Sequence, residues 1–184
     1  MGSAVIVPYD ERHHDGLSKL FVEYANWHKQ KLETIYGINY EEVIGGSISK
    51  IAKQVFPKFI SLEPPEGLIL VLEDEGKLVG VGRLSIIKDD IAEINNMYIS
   101  PDYRGHGYGK QILYNLIEKA KEFEYHTLRL DTSSYSKAAQ SIYKKAGFEE
   151  IDYYESTEHG RQAKNDTEAG RIYYNQKIYM EKKL

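Results

Sequence analysis

The chain has 184 residues, 41% hydrophobic, 28% charged and 12% aromatic, with a formal net charge of −4 and no cysteine. That length suits one domain with a core able to fold unaided. The missing thiols exclude disulfide scaffolds, zinc ribbons, iron–sulfur clusters and cysteine nucleophiles. With 24 Lys+Arg against 28 Asp+Glu and no basic block, nucleic acid is not an expected partner. No apolar run approaches the ~20 residues that span a bilayer, so no membrane is expected either. The opening Met1–Pro8 lacks the charged-then-apolar layout of a leader and reads as a first strand, which gives a cytoplasmic expectation.

Taken in chain order, residues 15 to about 28 carry Leu17, Leu20, Phe21, Tyr24 and Trp27 at helical spacing. A second helical stretch, about 40 to 55, places Val43, Ile44, Ile48, Ile51, Ala52 and Val55 on one side, with a break expected at Gly45-Gly46. Residues 63–67, Glu-Pro-Pro-Glu-Gly, stop it. Strands are expected over 68–72, 78–87 and 91–99, joined by polar turns at 73–76 and 89–90, so the three form a meander. A helix follows to about Phe123 with Ile112, Leu113, Leu116, Ile117 and Ala120 in a stripe.

Thr127 to Asp131 reads as a short strand, and Ser136 as the N-cap of a helix to Ala146 that Gly147 ends. The last two strands are expected over 148–154 and 171–181. Between them, 155–170 is almost wholly polar and reads as a mobile loop. One domain over 3–184 results, of α/β (α+β) class. Its mostly antiparallel, mixed sheet has about seven strands, flanked on both sides by about four helices.

The segment richest in chemistry is residues 97–110, Met-Tyr-Ile-Ser-Pro-Asp-Tyr-Arg-Gly-His-Gly-Tyr-Gly-Lys. A strand ends, a turn follows, and Arg104-Gly-His-Gly-Tyr-Gly109 opens an amphipathic helix. The first amides of a helix have no internal partner and sit at the positive end of its dipole, so they attract anions. Glycines at 105, 107 and 109 allow close backbone approach, and Arg104 and Lys110 add cationic donors. A tight strand-to-helix turn would account for the glycines alone; Arg104 favours a phosphate ligand. ATP and NAD are poor candidates, because the P-loop fails at positions 104 and 111 and the spacing is G-x-G-x-G rather than G-x-G-x-x-G. The six histidines, at 13, 14, 28, 106, 126 and 159, show no metal-binding spacing, so no metal is expected.

Residues 104–109 resemble the R-x-x-G-x-G signature of the GNAT superfamily of N-acetyltransferases, and residues 92–101 resemble that family's fourth strand. Ala139-Gln-Ser-Ile-Tyr-Lys-Lys-Ala-Gly-Phe148 is similar to its A-x-x-[LI]-Y-x-x-x-G-F helix. The resemblance implies acetyl-CoA as co-substrate, its pyrophosphate held by Arg104 and the amides of Gly105, His106, Gly107, Tyr108, Gly109 and Lys110. It implies a fourth strand splayed from the fifth, with backbone groups of Met97, Tyr98 and Ile99 binding the pantetheine arm, and one N–H of that region serving the oxyanion.

By the same resemblance Tyr143 is the general acid for the departing thiolate, and Glu93 the general base, directly or through water. Read without it, Tyr143 is a core aromatic and Glu93 equally well an exposed strand residue. Alternation puts Glu93, Asn95 and Met97 on one face. Relatives often carry Asn where this chain has Ser136, which would contact the pantetheine with a shorter reach. The expected acceptor is a small-molecule amine. Alternatives are a protein lysine or N-terminus, or a CoA-binding module without turnover. Acceptor choice would lie in 10–60 and 155–170, with Tyr153, Tyr154, Tyr173 and Tyr174 as pocket walls or packing pairs. Edge strands leave a homodimer open.

Overall fold

The computed structural model describes residues 4–154 and 167–184. Seven strands form one sheet in the order β1-β2-β3-β4-β5-β7-β6. They are β1 (Val5–Pro8), β2 (Gly67–Asp74), β3 (Lys77–Lys88), β4 (Ile91–Ile99), β5 (Thr127–Ser133), β6 (Glu149–Ile151) and β7 (Lys177–Lys183). Every neighbouring pair is antiparallel except β4 and β5.

The sheet is buried on both faces, which is why β2 is a continuous apolar run. Its Leu68, Leu70 and Leu72 enter one core, beneath α4 (Tyr108–Glu122) and α5 (Lys137–Lys145), with Ile112, Leu116 and Tyr143. Ile69 and Val71 enter the opposite core, under α1 (His14–Tyr36) and α3 (Ile48–Phe59), with Leu17, Leu20, Phe56 and Phe59. A third cluster joins α1 to α2 (Tyr40–Ile44) and α6 (Glu168–Asn175) through Leu32, Val43, Ala169 and Tyr173.

The meander over β2–β4 and the break at Gly45-Gly46 stand as expected. Several expectations do not. Six α-helices are present among the described residues rather than four. The first runs on to Tyr36, where Gly37 closes it at φ +67°, because Leu32 extends its buried face. The expected strand over 171–181 is helical in its first half. Thr167 caps α6 through its hydroxyl and the Gly170 N–H, 3.0 Å apart, and β7 begins only at Lys177. Of the expected loop 155–170, residues 155–166 lie outside the described residues and 168–170 are helix. The strand expected over 148–154 is three residues long. Ser136 stands at the N-cap of α5, but its side chain makes no capping bond. Gln140 ties the chain ahead of the helix back to it, its amide donating to the carbonyls of Ser133 (2.9 Å) and Ser134 (3.0 Å).

Candidate active site

The parallel pairing of β4 with β5 lasts for three positions, Ile91/Thr127, Ala92/Leu128 and Glu93/Arg129. Past Glu93, β4 continues along β3 to Ile99, while β5 continues along β7 to Ser133. The two strands diverge and open a seam in the middle of the sheet. The Ser100 N–H donates to the Val79 carbonyl at 2.9 Å. In an antiparallel ladder the residue next to such a bond turns its own N–H and C=O the other way, so Ile99 directs both into the seam.

A bulge shapes this end of β4. Val81 pairs with Tyr98 and Arg83 with Asn95, so β4 holds one residue more than β3 over this stretch. The extra residue is Asn96, at φ +50°, a conformation Asn tolerates better than most. The bulge overturns the simple alternation: Glu93 and Asn95 share a face with Tyr98, while Met97 and Ile99 pack into the α4 core. The backbone of Tyr98 faces β3 and its ring faces α1, so of the three residues expected to bind the pantetheine arm, Ile99 presents its backbone to the seam.

The seam leads to the glycine turn. Gly105 (φ +82°) and Gly107 (φ +85°) both adopt left-handed backbone that a side chain would strain, and nothing lies within 4 Å of where a Cβ would stand. The first bond of α4 runs from Gln111 N–H to Gly107 C=O at 3.0 Å, and no side chain caps the helix. The amides of Tyr108, Gly109 and Lys110 therefore have no partner within it. The His106 ring lies 6.1 Å from that of Tyr108, and the Lys110 ammonium turns back along the helix, 5.6 Å from the Tyr114 ring. Open space, left-handed glycines and uncapped amides together suit a diphosphate.

Arg104 does not point into this turn. Its Nε donates to the Ile99 carbonyl at 2.8 Å, and its guanidinium lies 5.2 Å from the Trp27 ring and 5.3 Å from the Tyr98 ring. Around it, Tyr24, His28 and Tyr135 continue an aromatic wall, with Tyr24–Tyr98 centroids 5.0 Å apart and Trp27–Tyr135 5.9 Å apart. The Tyr98 hydroxyl donates to Glu23 at 3.0 Å. Burial and that bond push its pKa up to about 12.

Glu93 is 1% exposed. Its Oε1 accepts the Tyr154 hydroxyl at 2.8 Å and its Oε2 accepts the Asn95 amide at 3.2 Å. It is a buried, hydrogen-bonded side chain rather than an exposed strand residue. Burial, and then the charge of Glu93, raise the pKa of Tyr154, so Tyr154 holds its proton. Tyr143, on α5, is buried in the core on the α4 side of the sheet, its ring 6.1 Å from Phe148. Burial first, and the charge of Asp131 second, raise its pKa. Asp131 and Lys177 form a buried ion pair on adjacent strands, and the Lys177 ammonium is 5.0 Å from the Tyr173 ring.

Sequence reasoning missed Tyr154 as the partner of Glu93, and missed Asp131, Lys177, Trp27 and Glu23 altogether. The only signal for the first group was the density of tyrosines near the C-terminus. Among the described residues, no three His, Asp or Glu side chains are placed to hold a metal ion, and no helix is long and apolar enough to cross a membrane.

Residues 30–148 match the model of a family described as acetyltransferase (GNAT). An uncharacterized N-acetyltransferase of Escherichia coli, YjgM, is 36% identical over 86 residues, covering 45% of this chain and 52% of that one. A putative [ribosomal protein bS18]-alanine N-acetyltransferase of Bacillus subtilis is 36% identical over 88 residues, covering 48% and 58%. The chain thus spans about half the length of these curated relatives. Among solved structures, the PaiA N-acetyltransferase of Thermoplasma acidophilum, in complex with coenzyme A, shares the fold with a TM-score of 0.67. It is 22% identical, with 99% of each chain covered.

Proposed function

Because the chain belongs to the acetyltransferase (GNAT) family, whose model matches more than half of it, we propose that it transfers acetyl from acetyl-CoA to a primary amine of a small molecule, by direct attack in a ternary complex. One observation carries this reading: a glycine-led helix start with no side-chain cap stands at the mouth of the seam between β4 and β5. A diphosphate on the α4 amides would leave the pantetheine arm to run into the seam, where the N–H and C=O of Ile99 face it. A backbone N–H there would also meet the oxyanion as it forms.

The amine must lose a proton and the thiolate must gain one. We assign the first task to Glu93 at one remove: as the amine attacks, its proton passes through water to the Tyr154 oxygen, and the Tyr154 hydroxyl proton passes to Glu93. The second falls to Tyr143, whose raised pKa keeps the phenol protonated until a thiolate appears beside it. Position matters more than acidity here, since an ordinary phenol (about 10) is already a weaker acid than an ordinary thiol (about 8.5).

A small acceptor is favoured by two bonds that tie α1 to the segment between β5 and α5. They are His28 Nδ1 to Tyr135 OH at 2.5 Å and Tyr36 OH to Ser134 Oγ at 2.6 Å. They bridge the acceptor side of the seam, where a polypeptide would need an open channel. The second reading is a protein N-terminal amine, favoured by relatives named as bS18-alanine acetyltransferases. Thiol release from acetyl-CoA, followed with a panel of small amines and with an N-terminal alanine peptide, tests both. We expect turnover with small amines, reduced about 10²-fold or more in Tyr143→Phe with CoA affinity retained. CoA binding without turnover on either class of acceptor would overturn the reading.

A further inference from the structure

The guanidinium of Arg104 occupies a site built for a cation. The rings of Trp27 and Tyr98 both hold it at about cation–π distance, 5.2 and 5.3 Å. Tyr24 packs on both rings, 6.3 Å from Trp27 and 5.0 Å from Tyr98. The Tyr98 hydroxyl brings the Glu23 carboxylate to the rim. These residues come from α1 and β4, elements pinned by the core, whereas Arg104 extends from an exposed turn. Its remaining contact, the Ile99 carbonyl, is a seam-facing group. One side chain therefore covers a seam-facing carbonyl and fills an aromatic basin beside it.

Resting on the acetyltransferase reading above, we propose that the basin of Trp27, Tyr98 and Tyr24 receives a cationic group of the acceptor, ammonium or guanidinium, separate from the amine that is acetylated, and that Arg104 fills this basin until the diphosphate of acetyl-CoA draws its guanidinium to the glycine turn. The exchange follows from competing ligands. The guanidinium's direct contacts, a carbonyl and two rings, are neutral and Glu23 stands only at the rim, while a diphosphate offers charge-assisted and bidentate bonds, roughly twice as strong each. Once Arg104 leaves, Ile99 is uncovered and the basin keeps its rings and Glu23 without their cation. Acetyl-CoA then binds first, and an acceptor with a second positive charge binds best.

Trp27 is the single tryptophan of the chain, so its emission reports on this basin alone. CoA titrated into the protein is expected to change Trp27 emission to saturation, and Arg104→Met to abolish that response. With saturating acetyl-CoA, kcat/KM for 1,4-diaminobutane is expected to exceed that for butylamine by about tenfold. That ratio is expected to fall toward one in Trp27→Leu and to be partly kept in Trp27→Phe. A merely structural role for Trp27 would lower both amines equally and leave the ratio unchanged. Trp27 emission indifferent to CoA, or equal use of the two amines, overturns the proposal. The emission arm needs no turnover, so thiol release failing with every amine would count against the acetyltransferase reading alone.

Discussion

Replacing Lys177 with Met tests whether the Asp131–Lys177 pair holds the open half of the sheet together. The two side chains are only 6% and 12% exposed, and Lys177 also sits over the Tyr173 ring. Removing the cation leaves Asp131 charged and buried, a change that typically costs about 3–5 kcal/mol. The pair Lys144–Glu150, at 2.6 Å but with side chains 56% and 54% exposed, is the internal control; its loss should cost about 1 kcal/mol at most. In urea, with a slope of about 2 kcal/mol per molar, the midpoint of Lys177→Met should fall by about 2 M and that of Lys144→Met by less than about 0.5 M. The pH dependence has a definite sign. Burial acts to lower the Lys177 pKa, but the charge of Asp131 overrides it and holds the ammonium well above 10.5. A group raised on folding stabilises fully below its unfolded pKa and loses that contribution as pH rises through the folded one. The penalty of Lys177→Met should therefore be constant from neutral pH to about pH 9 and shrink only in strong alkali. Equal midpoint shifts for the buried and exposed lysines would refute the reasoning.

Gly107→Ala should cost about 1–2 kcal/mol in stability, since φ +85° suits glycine, and should also weaken CoA binding measured by calorimetry. Glu93→Gln and Tyr154→Phe should each lower kcat by about 10²-fold, and the double variant should be little worse than either, because they act as one unit; additive losses in the rate assay would separate them. Glu181, whose pKa is lowered by its bonds to Lys183 and, after the opposing effect of burial, to Arg129, contributes stability above its ordinary value that is lost as pH falls through the depressed one. Glu181→Gln should thus destabilise by about 1 kcal/mol at neutral pH, and the difference in thermal midpoint should close below about pH 4.

The parts of this molecule legible in its sequence are those governed by local pattern. The apolar runs and polar turns of 67–99 mark out three strands, and β4 begins and ends at Ile91 and Ile99 as expected. The glycine turn was legible because left-handed backbone and an uncapped helix start demand a specific residue type. The stretch 168–175 was misread because Ile172, Tyr173 and Tyr174 favour strands on their own, whereas the Thr167 cap and the packing of Ala169 and Tyr173 on α1 and α2 make them helical. Contacts between distant segments were not legible at all. Nothing near Glu93 in sequence announces Tyr154, and nothing near Arg104 announces Trp27, because the sheet order rather than the chain brings them together.

The additional residue at Asn96 acts on β4 as a shift of reading frame acts on a message. Upstream of it, odd-numbered residues face α1 and even-numbered ones face α4; downstream, the parity is exchanged. Deleting Asn96 would flatten the bulge and leave Met97, Tyr98 and Ile99 on their present faces. Drawing Asn96 into regular pairing opposite Gly82 would instead exchange every position after it. Tyr98 would turn into the α4 core, Ile99 would replace it beside Trp27, and the Ile99 carbonyl would turn from the seam to β3. That Asn96 stays out of the ladder, at φ +50°, is the property of this segment that the site depends on.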